Sequence, residues 1–254
     1  MDTAIGIGIV IPCYNEGDRL PVERIRRFIP AHPDALLCFV DDGSTDGTAQ
    51  LLEGLRTEHP DRVAVVTLDQ NRGKAEAVRQ GVLACAARYD PRHIAFLDAD
   101  LAVSPEECYA MRQHLAGGVS FCFGSRIARV GSTIERKWRR HVVGRIIATF
   151  ISGILDLRVY DTQCGCKLFT REIAAVLFDA PFLSRWLFDV ELFSRFILLH
   201  GREGAMTRMT EVPLTEWIDR GRSKVEAGYA FRLWIDLFLI HREHQRGLAR
   251  SVKA

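Results

Sequence analysis

Two aspartates one residue apart close the apolar run FLDADL (96–101) at Asp98 and Asp100. On an extended chain, residues two apart face the same side. Carboxylates placed so close repel, and each raises the other's pKa. A divalent cation removes that conflict. Magnesium and manganese take oxygen ligands, often one or two carboxylates plus substrate phosphates. A lone acid pair of this kind also reads as a solvated turn that caps the next helix. What tips the balance is its company along the chain.

Three other polar clusters follow apolar runs. FVDDGSTDGT (39–48) brings Asp41 and Asp42, with Gly43 and Gly47 allowing close backbone approach. Its carboxylates could accept hydrogen bonds from the N–H groups of a base, or the segment is an Asp-rich turn with a helix cap at Ser44 or Thr45. PCYNE (12–16) offers Tyr14 for stacking on a base and Glu16 for hydrogen bonding, or Asn15 as a helix cap. NRGK (71–74) adds a turn that ends on Lys74.

The elements that must carry these clusters alternate. Strand-like runs are IGIGIVI (5–11), ended by Pro12, then ALLCFV (35–40), VAVVTL (63–68), HIAFLD (93–98) and VSFCFGS (119–125). Helical patterns lie between them, to about Phe28, over 45–56 and over 73–88. Ser104-Pro105-Glu106-Glu107 reads as a helix start, with Ser as N-cap and Pro in the first turn. Strand-helix alternation with near-continuous apolar strands predicts a mostly parallel sheet covered on both faces, a Rossmann-like α/β fold. Ligands of such sheets bind beyond the carboxyl ends of the strands. All four polar clusters fall there.

The second half is less regular. Residues 136–157 predict a basic, then apolar helix, CKLFT (166–170) a short strand, and 186–199 a helix. Residues 206–217 read as a strand with Pro213 near an edge, and 229–246 as an amphipathic helix.

Bulk properties exclude several classes. The net charge of +2 gives no global signal for nucleic acid, so any cationic function is local. Seven cysteines form no CxxC pair, which predicts reduced core thiols in a cytosolic protein. No basic leader precedes the first strand, so no signal peptide is expected. No apolar run approaches the about 20 residues that cross a bilayer. The longest clean one is IIATFISGIL (146–155).

PCYNE, VDDGSTD and DAD, in this order and spacing, resemble the nucleotide-sugar signature of family 2 glycosyltransferases of GT-A fold. NRGKAEAVRQG (71–81) resembles that family's fourth motif, with Ala75 where Gly is usual. FGSR (123–126), DTQCGCKLF (161–169), WLFDVEL (186–192), EVPLTEW (211–217) and RGRSK (220–224) resemble polyprenyl-phosphate hexose synthases, above all the dolichyl-phosphate β-glucosyltransferases. Cys166 stands where Phe is common. The resemblance implies one GT-A domain over 1–254: a nucleotide-sugar half (1–126), an acceptor half (127–226) and a C-terminal helix (227–254).

By this resemblance, Pro12, Tyr14, Glu16, Val40 and Asp42 hold base and ribose, with Lys74 also on the nucleotide-sugar. Asp98, Ala99 and Asp100 sit at the diphosphate, where Asp100, with Asp98, would bind Mg2+ or Mn2+. Arg126 and Arg140 match positions that contact phosphate, and Ser223 and Lys224 a segment that closes over the diphosphate. Asp161 and Gln163 would position acceptor or sugar hydroxyls. Asp189 and Glu191 would line the sugar pocket or form buried ion pairs.

The implied reaction is inverting transfer of a hexose, glucose foremost, from UDP to a polyprenyl phosphate. A monophosphate ester has a second pKa of about 6, so the acceptor is already an anion at neutral pH and needs no strong base. It needs cations, and Arg126, Arg129, Arg136, Lys137, Arg139, Arg140 and Arg145 crowd one stretch with Glu135 as its single acid. Cations followed by an aliphatic stripe suit a peripheral helix on the cytoplasmic face of a membrane, and suit a core-facing stripe as well. The C-terminal helix, with Trp234 and Phe238, would rest on membrane, on a second copy or on a membrane partner. Rival readings are a GDP-mannose donor, a soluble hydroxyl acceptor, a nucleotidyltransferase and a nucleotide-binding regulatory module without turnover.

Overall fold

The structure, a computed structural model, describes residues 4–135, 138–218 and 229–251, with main chain only for 135, 138–146, 229–232 and 250–251. Arg136, Lys137, Ser223 and Lys224 lie outside the described residues, as do the side chains of Arg139, Arg140, His141 and Arg145.

Five strands and four helices alternate through the first half: β1 (Ile7–Cys13), α1 (Val22–Ala31), β2 (Ala35–Asp41), α2 (Thr48–Glu58), β3 (Val63–Thr67), α3 (Lys74–Tyr89), β4 (His93–Leu97), α4 (Pro105–Met111) and β5 (Phe121–Ser125). The second half adds β6 (Thr133–Glu135), α5 (Trp138–Leu155), β7 (Cys166–Thr170), α6 (Arg171–Leu177), α7 (Phe188–Arg208), β8 (Met209–Pro213), β9 (Glu216–Ile218) and α8 (Tyr229–Ser251). Seven strands form one sheet in the order β3-β2-β1-β4-β7-β5-β8, and β6 pairs with β9. The strands β1 to β4 are parallel, and β8 runs parallel to β5. Only β7 runs against its neighbours. The predicted mostly parallel α/β sheet is therefore present.

Alternation along the strands splits the core. Ile7, Ile9 and Ile11 face α1, α2 and α4, while Val10, Cys38 and Val40 face α3 and the helices of the second half. Helix α3 lies close because Gly81 has no side chain: a Cβ there would overlap Val10 and come within 2.6 Å of Val40 Cγ2. Ser104 caps α4 as its sequence predicts, accepting the Glu107 N–H at 3.1 Å ahead of Pro105. All seven cysteines are free and buried.

Three expectations need correction. Pro12 does not end β1, which runs on to Cys13. Pairing with β4 stops at Val10, so Pro12 stands where β1 has become an edge and a missing N–H is tolerated. Residues 206–217 are not one strand: β8 ends at Pro213 and β9 joins a separate two-stranded sheet. The helical pattern over 186–199 runs on to Arg208, past a break at Gly201 with φ 70°.

Strand β7 matters most for the site. Its antiparallel course pairs Leu97 with Cys166, so its first residue meets the last residue of β4. The DTQCG loop that precedes β7 is thereby delivered to the DAD turn. Phe169 of β7 stacks on Phe121 of β5 at 4.6 Å, and Phe121 packs on Phe193 of α7 at 4.9 Å. Each such pair adds about 0.5–1.5 kcal/mol beyond its buried area, which anchors β7 between β4 and β5.

Candidate active site

The carboxyl ends of β1, β2, β3 and β4 bring PCYNE, DDGSTD, NRGK and DAD to one edge of the sheet, as their order along the chain predicts. The first two are knitted together. Asn15, at φ 50°, accepts the Thr45 N–H at 2.9 Å, and its own N–H reaches Ser44 Oγ at 3.0 Å. The N–H groups of Glu16 and Gly17 donate to Thr48 Oγ1 and Asp46 Oδ2. Asn15 thus bridges two loops and caps no helix; α1 begins only at Val22. Tyr14 is exposed, as a stacking surface must be, and Glu16 is buried.

Two residues given to the nucleotide also have partners within the fold. Val40 is fully buried and packs under α3. Asp42 accepts the Arg72 N–H at 2.7 Å on one carboxylate oxygen and the Gly73 N–H at 2.8 Å on the other. Burial raises its pKa, with these two bonds opposing. Its carboxylate holds the turn before Lys74.

The DAD segment is a turn. Strand β4 ends at Leu97, the Leu101 N–H returns to Asp98 O at 3.0 Å, and Leu101 takes φ 47°. Pleat alternation therefore does not bring the two acids together; the turn does. Their charges still couple. Burial, then the charge of Asp98, raises the Asp100 pKa. Lys74 Nζ lies 2.5 Å from Asp98 Oδ1. Burial works against the Lys74 charge, yet Asp98, Asp189 and Asp100 outweigh it and hold its pKa above the ordinary lysine value.

Gly165 completes this corner. Its carbonyl accepts the Asp98 N–H at 3.2 Å, and a Cβ on it would overlap the Asp98 carboxylate. Beneath it, Lys167 is fully buried and bonds Asp189 Oδ1 at 2.6 Å and Cys164 O at 2.7 Å. Asp189 and Glu191 are indeed buried ion pairs, the latter with Arg195 at 2.7 Å. At the other end of the DTQCG loop, Asp161 takes Arg126 Nε at 2.6 Å and Nη2 at 2.8 Å. Burial disfavours the Arg126 charge, and this fork more than restores it. Arg126 and Asp161 are brought together, but as each other's partner. Gln163 Nε2, Thr162 Oγ1 and Ser125 Oγ are buried without a hydrogen-bond partner among the described residues.

Sequence reasoning missed Glu211, whose carboxylate accepts the N–H groups of Tyr160 and Asp161. A strand acid of β8 carries no local signal for that role. No cluster of three or more metal-binding side chains exists among the described residues. Hard cations often take one or two carboxylates and complete their shell with substrate phosphates and water.

A parallel sheet with acids at its strand ends is the architecture of GT-A glycosyltransferases, and solved structures bear this out for the fold. Glucosyl-3-phosphoglycerate synthase from Mycobacterium tuberculosis, in complex with Mn2+, UDP-glucose and phosphoglyceric acid, matches with a TM-score of 0.66 at 21% identity over 93% of this chain and 80% of that one. Mannosyl-3-phosphoglycerate synthase from Rubrobacter xylanophilus matches with a TM-score of 0.71 at 16% identity over 97% and 76%. The family profile "Glycosyl transferase family 2" matches residues 8–178, and the chain belongs to that family. Dolichyl-phosphate beta-glucosyltransferase of Drosophila melanogaster is 30% identical over 93% of this chain and 74% of that protein. The Dictyostelium discoideum enzyme of that name is 30% identical over 74% of this chain, which spans only 61% of its length. Polyprenol monophosphomannose synthase of Mycolicibacterium smegmatis is 30% identical over 65% and 62%.

Gly165→Ala tests the corner. We expect a loss of about 1–3 kcal/mol in urea unfolding and weaker UDP binding by calorimetry, because Asp98 must move. Gly153→Ala is the control, since a Cβ there meets nothing within 4 Å. Equal stability and UDP affinity in both variants contradicts the role given to Gly165.

Proposed function

We propose that this chain catalyses inverting transfer of a hexose, glucose foremost, from a UDP-sugar to a polyprenyl phosphate of dolichyl type. The observation that carries the reading is the corner of Lys74, Asp98, Asp100 and Gly165, which joins the family's donor motifs to the DTQCG loop of the polyprenyl-phosphate enzymes. The Drosophila and Dictyostelium relatives support the acceptor class and the sugar. The Mycolicibacterium relative keeps GDP-mannose as the second donor to test.

Asp100 and Asp98 would hold Mg2+ or Mn2+, as the manganese complex of the mycobacterial neighbour supports. The ion would stabilise charge on the leaving diphosphate. Lys74 supplies a fixed cation at the same place. Tyr14 presents its ring for the base, while Asn15 and Asp46 fix the loop that carries it. The unpartnered amide of Gln163 offers donors for sugar hydroxyls or phosphate. Arg126 is oriented by Asp161, and an incoming phosphate would share its guanidinium. The acceptor is already ionised, so the chain's task is to hold two anions in line rather than to abstract a proton.

Peripheral membrane contact, on the cytoplasmic face, fits the outer surface of α5 and α8. Among the described residues no helix is long and apolar enough to cross a membrane. Phe150, Trp234, Ile235 and Phe238 are nevertheless exposed, with the rings of Phe150 and Trp234 5.1 Å apart. Arg242 and Arg246 follow on α8, suiting an anionic interface.

With UDP-glucose, Mn2+ and a short polyprenyl phosphate, we expect UDP release at a rate that GDP release from GDP-mannose does not match. Asp100→Asn should lower it by about a thousandfold, the scale of several kcal/mol of lost charge stabilisation, without loss of fold. Release unchanged in that variant, or none with any sugar nucleotide, overturns the reading. For the membrane face, Phe150→Ser with Phe238→Ser should weaken co-sedimentation with phosphatidylglycerol vesicles by about tenfold. Equal sedimentation of variant and wild type removes that surface.

A further inference from the structure

Arg185 lies far from the donor motifs in sequence, yet its side chain ends on one of them. Its Nε donates to Arg72 O at 3.0 Å, and its Nη2 donates to Asn71 O and Asn71 Oδ1, each at 3.2 Å. Its own carbonyl accepts the Ala75 N–H at 3.2 Å. Among the described residues it makes no ion pair. An exposed arginine normally spends its donors on water or a carboxylate. This one spends them on the carbonyls of a single turn.

The turn needs holding. Gly73 sits at φ 93°, and a Cβ on it would come within 2.7 Å of Arg185 Nε, so the guanidinium lies directly on the glycine. Asp42 takes the N–H groups of Arg72 and Gly73. An anion thus grips the donors of the turn and a cation grips its acceptors. Such charge-assisted bonds are about twice as strong as neutral ones. The next residue is Lys74, whose ammonium meets Asp98.

Arg185 is itself fixed. The Trp186 and Leu187 N–H groups approach Ser184 Oγ at 3.3 and 2.9 Å, and Ser184 Oγ donates to the buried Asp236 of α8 at 2.5 Å. The strap that carries Arg185 is therefore tied to the C-terminal helix.

We propose that Arg185 is a positioning residue of the donor site: by clamping the 71–73 turn it sets where Lys74 stands and hence how tightly the nucleotide diphosphate binds. This rests on the reading of the Lys74 corner as the donor site. In this proposal Arg185 acts through Lys74 and not on the reacting atoms. A purely structural arginine would alter stability alone.

The test compares Arg185→Ala and Arg185→Lys with Arg202→Ala, whose guanidinium also donates to a main-chain carbonyl, that of Asp156 at 2.8 Å, far along the chain from these motifs. Four readouts are taken: UDP affinity with Mn2+, KM for donor and for acceptor, Tm, and amide hydrogen exchange over 71–75. Arg185→Ala should raise the UDP Kd and donor KM by about tenfold, leave acceptor KM and Tm near wild type, and speed exchange in the turn. Arg185→Lys should fall between, since one ammonium cannot span both carbonyls. Arg202→Ala should change none of these. Unchanged donor affinity in Arg185→Ala, or a loss shared equally by donor, acceptor and Tm, overturns the proposal. If wild type fails to bind UDP at all, the donor-site reading fails, and unchanged exchange over 71–75 separately sinks the clamp.

Discussion

The contact of Lys74 with Asp98 at the end of β4 is the constraint around which the site is built. Asp98 and Asp100 share one tight turn, and Asp100 is buried enough to feel both burial and its neighbour's charge. Like charges a few ångströms apart repel by roughly 4 kcal/mol at an effective dielectric of 20. Solvent screening takes part of this, since Asp98 is 39% exposed. A cation stands beside the turn and opposes what is left. In the protein alone that cation is Lys74. A divalent ion with a diphosphate would bring more positive charge and a new anion for Lys74 to meet.

Much of the surrounding fold serves this corner. The parallel strands deliver four loops to one edge. Asp42 and Arg185 hold the turn that aims Lys74, from its donor side and its acceptor side. Antiparallel β7 then brings Gly165 against Asp98, where any side chain would intrude. The loop that ends at Gly165 is fixed at one end by Glu211 and by Arg126 with Asp161, and at the other by Lys167 with Asp189. The DAD corner and the DTQCG loop are thus braced by the same short segment.

Most of this was legible in the sequence where the signal is local. Apolar runs and Gly-, Pro- and Asp-rich turns placed the strands, the α4 cap and the four loops at the strand ends. The corrections share a physical cause: partners distant in sequence. Nothing near Asp42 in the sequence reveals that its carboxylate accepts the Arg72 and Gly73 N–H groups. Nor does anything near Arg126 or Asp161 reveal that they pair with each other. Pro12 looked like a strand terminator because the sequence cannot say that β1 loses its second neighbour after Val10. Arg185 and Glu211 were invisible as site residues, since their partners are main-chain groups, which no side-chain motif encodes.

The most direct measurement of the central constraint is a manganese titration of the nucleotide-free protein by electron paramagnetic resonance. If Lys74 is the resident cation of the DAD turn, Lys74→Ala should bind Mn2+ about tenfold more tightly than wild type while binding UDP less well, and adding Asp100→Asn should erase the gain. Unchanged Mn2+ affinity in Lys74→Ala, or a gain that survives loss of the Asp100 charge, would mean that lysine and metal do not share this corner.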